Sequence, residues 1–332
     1  MRFPQLTANL FKQIRENLPL QAKVLYIGGF NQDIQMQPGS RLIQGDSVPG
    51  TVFKTAGGVV RNICENAALL GVNSSLMSIC GDDEAGNSII CQTEKSGVDC
   101  RHCSIVPDRS TSIYSALLNS DGEMLYAVNQ MDLMEEMTPS FFESRLQLLQ
   151  KFDYFVLDAN LSSYSLEWIC QNFTGKILLS DPVSTVKFKR LKGNLEHIRM
   201  IKPNSLEASS YTGIDLVTER DYWRACDVFL KEGVEKVFIS CGERGIFYMD
   251  SESSALIPSL ELNPVSVTGA GDSASAALIL GELSGLSSKE TAILANLSGA
   301  ASLLSSRAIN ENMSVELLES ISKEYNYEKQ LS

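Results

Sequence analysis

Short apolar runs alternate with stretches of helical period along most of this chain, and no other feature restricts its fold so strongly. KVLYIGGF (Lys23–Phe30) is apolar and ends in glycines, as suits a buried parallel strand. VRNICENAALLG (Val60–Gly71) has helical spacing and stops on a glycine. SSLMSICG, FDYFVLDA, KILLSDP, HIRMIKPN and EKVFISCG read as further strands. EAGNSIICQTEKSG, SLEWICQNF, STVKFKRL, SLEASSYTG and YWRACDVFLKEG read as helices between them. The first residues, MRFPQLTANLFKQIRENLPLQ, form an amphipathic pattern, and the chain from Asp272 to about Tyr325 reads as mostly helical. This rhythm predicts a parallel sheet covered by helices on both faces.

Two stretches break the rhythm. Ile34–Thr55 is polar, holds Gly39, Gly45 and Gly50, and has no helical period. TSIYSALLNSDGEMLYAV (Thr111–Val128) is two β-rich runs joined by a good hairpin turn, NSDGE. We expect the two stretches to pair as a small sheet projecting from the main body.

Composition removes several function classes. The 332 residues are 44% hydrophobic and 20% charged, enough for one large core. Net charge is −12, and the lysines and arginines are scattered, so the basic stripe that nucleic acid requires is missing. No apolar run approaches the ~20 residues that span a bilayer. The first residues lack the uninterrupted apolar core of a signal peptide, so no membrane partner and a cytoplasmic location are expected. Among eight cysteines, Cys64, Cys80, Cys226 and Cys241 sit in apolar patterns as small hydrophobes. Cys100 and Cys103, with His102 between them, have metal-ligand spacing, but no second pair completes a site. Ordinary reduced thiols are expected there.

The chemistry concentrates in VTGAGDSASA (Val267–Ala276). Gly269, Gly271 and Ala274 match the spacing of a dinucleotide fingerprint, yet a helix follows where that motif needs a second strand. Glycines before a helix also let consecutive backbone N–H groups receive an anion, and Asp272 would then stand at its mouth as a proton acceptor. An N-cap aspartate after a tight turn is the competing reading, and these ten residues alone do not separate the two.

The neighbouring motifs add weight to the anion reading. VTGAGD resembles the signature of the ribokinase-like (PfkB) carbohydrate kinases, and further stretches follow in that family's order. GGFNQD (Gly28–Asp33) is similar to the first-strand substrate motif, and GGVVRN (Gly57–Asn62) to the di-glycine motif with its sugar-contacting Asn. KPNSLE (Lys202–Glu207) resembles the N-x-x-E element, SCGERG (Ser240–Gly245) the nucleotide loop, and ANLSGAA (Ala295–Ala301) the helix beside adenine. The resemblance spans roughly residues 23–310. It implies a three-layer α/β/α fold with a mostly parallel central sheet and a small β lid. The chain would be a single kinase domain over 1–332, with lid segments near 34–56 and 108–130.

The resemblance further implies transfer of a phosphoryl group from ATP to a hydroxyl. Asp272 would be the base, with the amides of Gly269, Ala270 and Gly271 as the anion hole. Asn31, Asp33, Gly57, Gly58 and Asn62 would hold the sugar; one carboxylate can accept both hydrogens of a vicinal diol. Asn204, Ser240, Gly242, Gly245, Thr268 and Asn296 would serve the nucleotide, and Glu207 magnesium through water. GGVVRNICENAALLG, DPVSTVK and AVNQMDLMEEMTP resemble the members that phosphorylate pseudouridine. The base would then meet the lid or Asn129, Gln130, Met131 and Asp132. A helix N-terminus beside Asp272 is expected to lower its pKa. Ser266 stands where members that use a monovalent cation carry an acid, which puts potassium activation in doubt. A second copy pairing through the lid edge is a further expectation, by analogy with relatives.

Overall fold

The computed structural model describes residues 6–18, 20–265 and 268–331. The opening helix α1 (Leu6–Asn17) leads into strand β1 (Lys23–Ile27). Strands β2 (Asn31–Pro38) and β3 (Gly50–Gly57) then form an antiparallel pair before helix α2 (Val59–Leu69). Next come β4 (Asn73–Met77), β5 (Ile79–Gly81), α3 (Glu84–Lys95) and β6 (Ser104–Val106). The hairpin β7 (Ile113–Leu118) and β8 (Met124–Gln130) precedes two short helices, α4 (Pro139–Glu143) and α5 (Leu146–Leu149). The βα rhythm resumes with β9 (Tyr154–Asp158), α6 (Ser163–Asn172), β10 (Ile177–Asp181) and β11 (Ile198–Ile201). It continues through α7 (Ser205–Thr212), α8 (Glu219–Lys231) and β12 (Lys236–Ser240). An antiparallel pair, β13 (Ile246–Met249) and β14 (Ser254–Ile257), closes the strand half. Helices α9 (Ala270–Leu283), α10 (Ser288–Leu303), α11 (Val315–Glu324) and α12 (Tyr327–Gln330) complete the chain.

The main sheet has eight strands in the order β14-β13-β12-β11-β10-β9-β1-β4. It is parallel from β4 to β12 and antiparallel only at the β13–β14 end. Strand residues alternate between two cores. Val24 and Tyr26 pack with helices α1, α2, α9 and α10, whereas Leu25 and Ile27 pack with α6 and α8 on the opposite face. That alternation makes the α/β/α layering, with both faces of nearly every strand buried. The chain leaves β1 for β4 on one side and later returns to β9 on the other. The switch point of the sheet therefore lies between β1 and β9, where open α/β sheets bind ligands.

The two rhythm-breaking stretches pair as expected, in a separate four-stranded sheet of order β3-β2-β7-β8. Its hairpin turn is held by Asn119, whose Oδ1 accepts from the backbone N–H of Asp121 and Glu123. One expected helix is absent. STVKFKRL forms only a 3₁₀ turn over Lys187–Leu191, which follows a chain reversal at Val183 with φ +66. The β13–β14 hairpin was also not anticipated: a short antiparallel edge pair has the same apolar pattern as a parallel strand.

Candidate active site

Helix α9 is preceded by its N-cap residue Gly269, which has φ +88. A Cβ there would both strain the backbone and collide with the Ala308 carbonyl, so only glycine fits. Beyond it, Ala270, Gly271 and Asp272 occupy the first helical turn, where backbone N–H groups have no intrahelical acceptor. Its N-cap residue, Gly269, has no side chain with which to cap the turn. The result is a ready anion site at the N-terminus of a 14-residue helix. Thr268 lies exposed just before it, while Ser266, which stands in place of a cation-holding acid, lies outside the described residues.

Asp272 is half-buried beside α2, and Asn62 Nδ2 donates to its Oδ2 at 2.7 Å. The expectation of a lowered pKa is corrected here: the carboxyl is raised to about 7. Burial is the main cause, the Asp181 carboxylate the next, and Asp158 adds a smaller push. The Asn62 hydrogen bond and the Lys202 ammonium oppose them without prevailing.

Lys202 and Asp181 were not singled out in the sequence. Lys202 is buried at the end of β11, its Nζ 3.6 Å from Asp181 Oδ2. The same Nζ lies 3.7 Å from where Gly271 would carry a Cβ, so the ammonium faces the first turn of α9. Asp181 ends β10, accepts the Val183 N–H at 2.9 Å, and receives Ser275 Oγ at 3.5 Å. A charged residue closing each of two buried apolar runs was the available signal, since buried charges occur in pairs.

Asn204 and Glu207 form a reciprocal capping box on α7. Glu207 N–H donates to Asn204 Oδ1 at 2.9 Å, and Asn204 N–H to Glu207 Oε2 at 2.8 Å. The N-x-x-E spacing thus has a local reason of its own. Glu207 is buried, and burial followed by the Asp181 charge raises its pKa. Asn204 bridges to Ser240, so the ends of β11 and β12 meet there. Gly242 (φ +61) and Gly245 (φ +101) shape the next loop, and a Cβ on Gly245 would strike the Ile257 carbonyl. Asn296 stands apart from these. Its amide N–H groups face the carbonyls of Ile257 and Pro258 and the Tyr327 hydroxyl at 2.9–3.0 Å, so it clamps the wall behind the loop.

Four glycines converge around the Asp33 and Asp158 carboxylates. Side chains at Gly28 and Gly29 would collide with Asp158 and Asn160, one at Gly57 with the Asp33 carboxylate, and one at Gly58 with the Gly29 carbonyl. Asp33 is therefore laid over bare backbone. Asn31 Nδ2 donates to its Oδ1 at 2.6 Å, and burial raises its pKa. Asp158, fully buried at the switch point, joins the parts by accepting from Gly29 N–H, Val60 N–H and the Asn160 backbone and amide at 2.9–3.0 Å. Lys187 Nζ donates to Asn160 Oδ1 at 2.6 Å.

In the lid, Thr55, Asp33, Tyr114 and Asn129 are register partners across β3, β2, β7 and β8, so all four share one face. Tyr114 joins the candidate residues on that basis. Gln130 pairs with Ile113 in the adjoining row and projects to the opposite face. Met131 packs on the core below, and Asp132 forms an ion pair with Arg109 at 3.0 Å. Among the described residues no cluster of His, Cys, Asp or Glu has metal-site geometry, Cys100 and Cys103 included. No helix among them is long and apolar enough to cross a membrane.

Comparison with known proteins gives this geometry a context. Residues 21–314 match the profile of the pfkB family of carbohydrate kinases. The chain is 37% identical to the pseudouridine kinase of Escherichia coli over 77% of its length and 82% of that protein. It is 30% identical to the uncharacterised Escherichia coli sugar kinase YeiI over 89% of its length and 82% of that protein. A solved Clostridium perfringens structure regarded as a sugar kinase, 32% identical, superposes with a TM-score of 0.80 over 92% of this chain and 96% of the other.

Proposed function

This chain belongs to the pfkB family of carbohydrate kinases, and from that premise we propose that it transfers the γ-phosphoryl group of ATP to the 5′-hydroxyl of pseudouridine. The family makes it a phosphotransferase with an alcohol acceptor; the nucleoside is our reading. One observation carries the chemistry: the hydrogen bond from Asn62 to Asp272, which brings the sugar-side motif onto the base. The 37% identity to a pseudouridine kinase supports the choice of substrate.

Asp33 and Asn31 hold the ribose hydroxyls, with Gly57 leaving room for the carboxylate beneath them. Asn129 and Tyr114, on the same lid face, lie next in line for the nucleobase. Asp272 removes the 5′-hydroxyl proton as the oxygen attacks the γ-phosphorus in line, the bond to the β–γ bridging oxygen breaks, and ADP leaves. A carboxyl with its pKa near 7 is better matched to this task than an ordinary aspartate. Developing charge on the equatorial oxygens meets the N–H groups at the start of α9 and the Lys202 ammonium. Nucleotide binding falls to the ends of β11 and β12 and the Gly242–Gly245 loop.

A divalent cation fits the residues present. Glu207 and Asp181 are buried carboxylates, and the Asp181 charge helps to raise the Glu207 pKa. Magnesium would neutralise charge on the β- and γ-phosphates, held through water by Glu207.

The match to YeiI along 89% of the chain favours a second reading, a sugar or another nucleoside as acceptor. A panel of pseudouridine, uridine, adenosine, inosine and ribose with Mg-ATP separates the two. Preferred turnover of pseudouridine is expected; turnover of ribose or adenosine without pseudouridine would replace the substrate. Binding of pseudouridine without ATP turnover would make the chain a nucleoside-binding protein on a kinase fold.

A further inference from the structure

A side-chain amide can face Asp272 in two ways that fill the same volume. With Nδ2 forward, Asn62 donates to the carboxylate; with Oδ1 forward, two acceptors oppose each other. Packing does not choose between them. Arg61 does. It is 2% exposed, and a guanidinium is always charged and carries donors only. Its Nη2 lies 2.7 Å from Asn62 Oδ1, an approach that only the amide oxygen can accept. The N–H pair of Asn62 is thereby left to turn toward Asp272.

The arginine is itself immobilised. Nε donates to the Gly57 carbonyl (3.1 Å) and Nη2 also to that of Ala56 (3.2 Å), the last residues of lid strand β3. Nη1 donates to Glu65 Oε2 (2.5 Å) and to Thr93 Oγ1 on α3 (3.0 Å). All five N–H groups thus have an acceptor, and Glu65 balances the charge. Glu65 is held in turn by Ser96 Oγ at 2.7 Å. One socket therefore joins α2, α3 and the root of the lid, beside the Gly57 backbone on which Asp33 rests.

We propose that Arg61 is a positioning residue that locks the Asn62 amide with its N–H toward Asp272 and ties that lock to the root of the lid. Among the described residues four groups act on the Asp272 carboxyl: Asn62 from α2, Lys202 just after β11, Asp181 from β10 and Asp158 from β9. Only Asn62 is governed by Arg61. Without the arginine the amide turns freely, the ionised carboxylate loses its donor, and the proton is held more tightly.

The test compares wild type with Arg61→Met, Arg61→Lys, Asn62→Ala and the Arg61→Met/Asn62→Ala double variant, with folding checked by circular dichroism. Arg61→Met should lower kcat at saturating nucleoside by at least ~10-fold. It should also move the acid limb of the pH profile upward by about half a pH unit or more. Arg61→Lys should recover part of both. The double variant should match Asn62→Ala in kcat within about twofold, because Arg61 acts through Asn62. Effects that multiply, or a folded Arg61→Met with unchanged kcat and acid limb, overturn the proposal. Where Arg61→Met does not fold, unchanged kcat and acid limb in Arg61→Lys do the same.

These kinetic arms rest on the kinase reading, so a titration of the Asp272 carboxyl by ¹³C NMR is run alongside. An upward move of its midpoint on loss of Arg61 is expected whether or not the protein turns over, and no move refutes the lock. A wild type with no turnover on any acceptor refutes the kinase reading alone.

Discussion

At the scale of single residues, Asp272 carries the sharpest expectations. Asp272→Asn should lower kcat by at least ~10²-fold with little change in nucleoside or ATP binding, as read by steady-state kinetics and calorimetry. As the proposed base it must be ionised, so kcat/KM should fall as pH drops through about 7. The same carboxyl predicts a stability effect. Its folded pKa of about 7 lies above the unfolded 3.8, so the folded state binds the extra proton between them. By linkage the protein loses stability as pH rises across that window. Asp272→Asn should therefore melt higher than wild type, by a margin that grows from pH 4 to pH 7 and then levels off; a constant margin would contradict the raised pKa. Asp272 was legible in the sequence as a candidate base, yet the direction of its pKa was not. The helix N-terminus is a local feature, whereas Asp181 and Asp158 stand 91 and 114 positions away in the chain and reach Asp272 only through the fold.

At the scale of elements, the capping box on α7 separates two roles that share one side chain. Glutamine at the third helical position still accepts the Asn204 N–H, so Glu207→Gln should leave the melting temperature nearly unchanged. Without the carboxylate charge, the magnesium concentration for half-maximal activity should rise several-fold. Asn204→Ala removes the acceptor for the Glu207 N–H and should cost about 1 kcal/mol in a denaturant titration. An unchanged magnesium requirement in Glu207→Gln would assign the motif to capping alone. Glycines act at this scale too. Gly57→Ala should displace the Asp33 carboxylate and raise the nucleoside KM more than it lowers kcat, since the clash is with the carboxylate we propose for the ribose. The di-glycine motifs were readable as places of close approach. Which groups approach them was not, because Asp158 meets Gly29 across more than 100 intervening residues.

For the whole molecule, the lid leaves one surface open. Val52, Tyr126 and Val128 lie on the sheet face opposite Asp33, and each is more than half exposed. β8 is an edge strand exposed along its whole length. A second copy of the chain is the occupant we expect, by edge or face pairing. Sedimentation should show a dimer that Val128→Lys dissociates; a monomer at micromolar concentration would exclude that assembly. The parallel sheet, its two helical layers and the small lid sheet were all legible from the sequence, because each rests on periodicity within a few residues. So were the glycines and the carboxylates that the motifs carry in order. Tertiary structure alone decided which charges face one another: Lys202 against Asp181, Asp181 against Asp272, and Arg61 behind Asn62. The physical reason is one of distance. Backbone conformation is set largely by neighbours along the chain, whereas electrostatic energies in a buried site depend on separations in space, which no local pattern records.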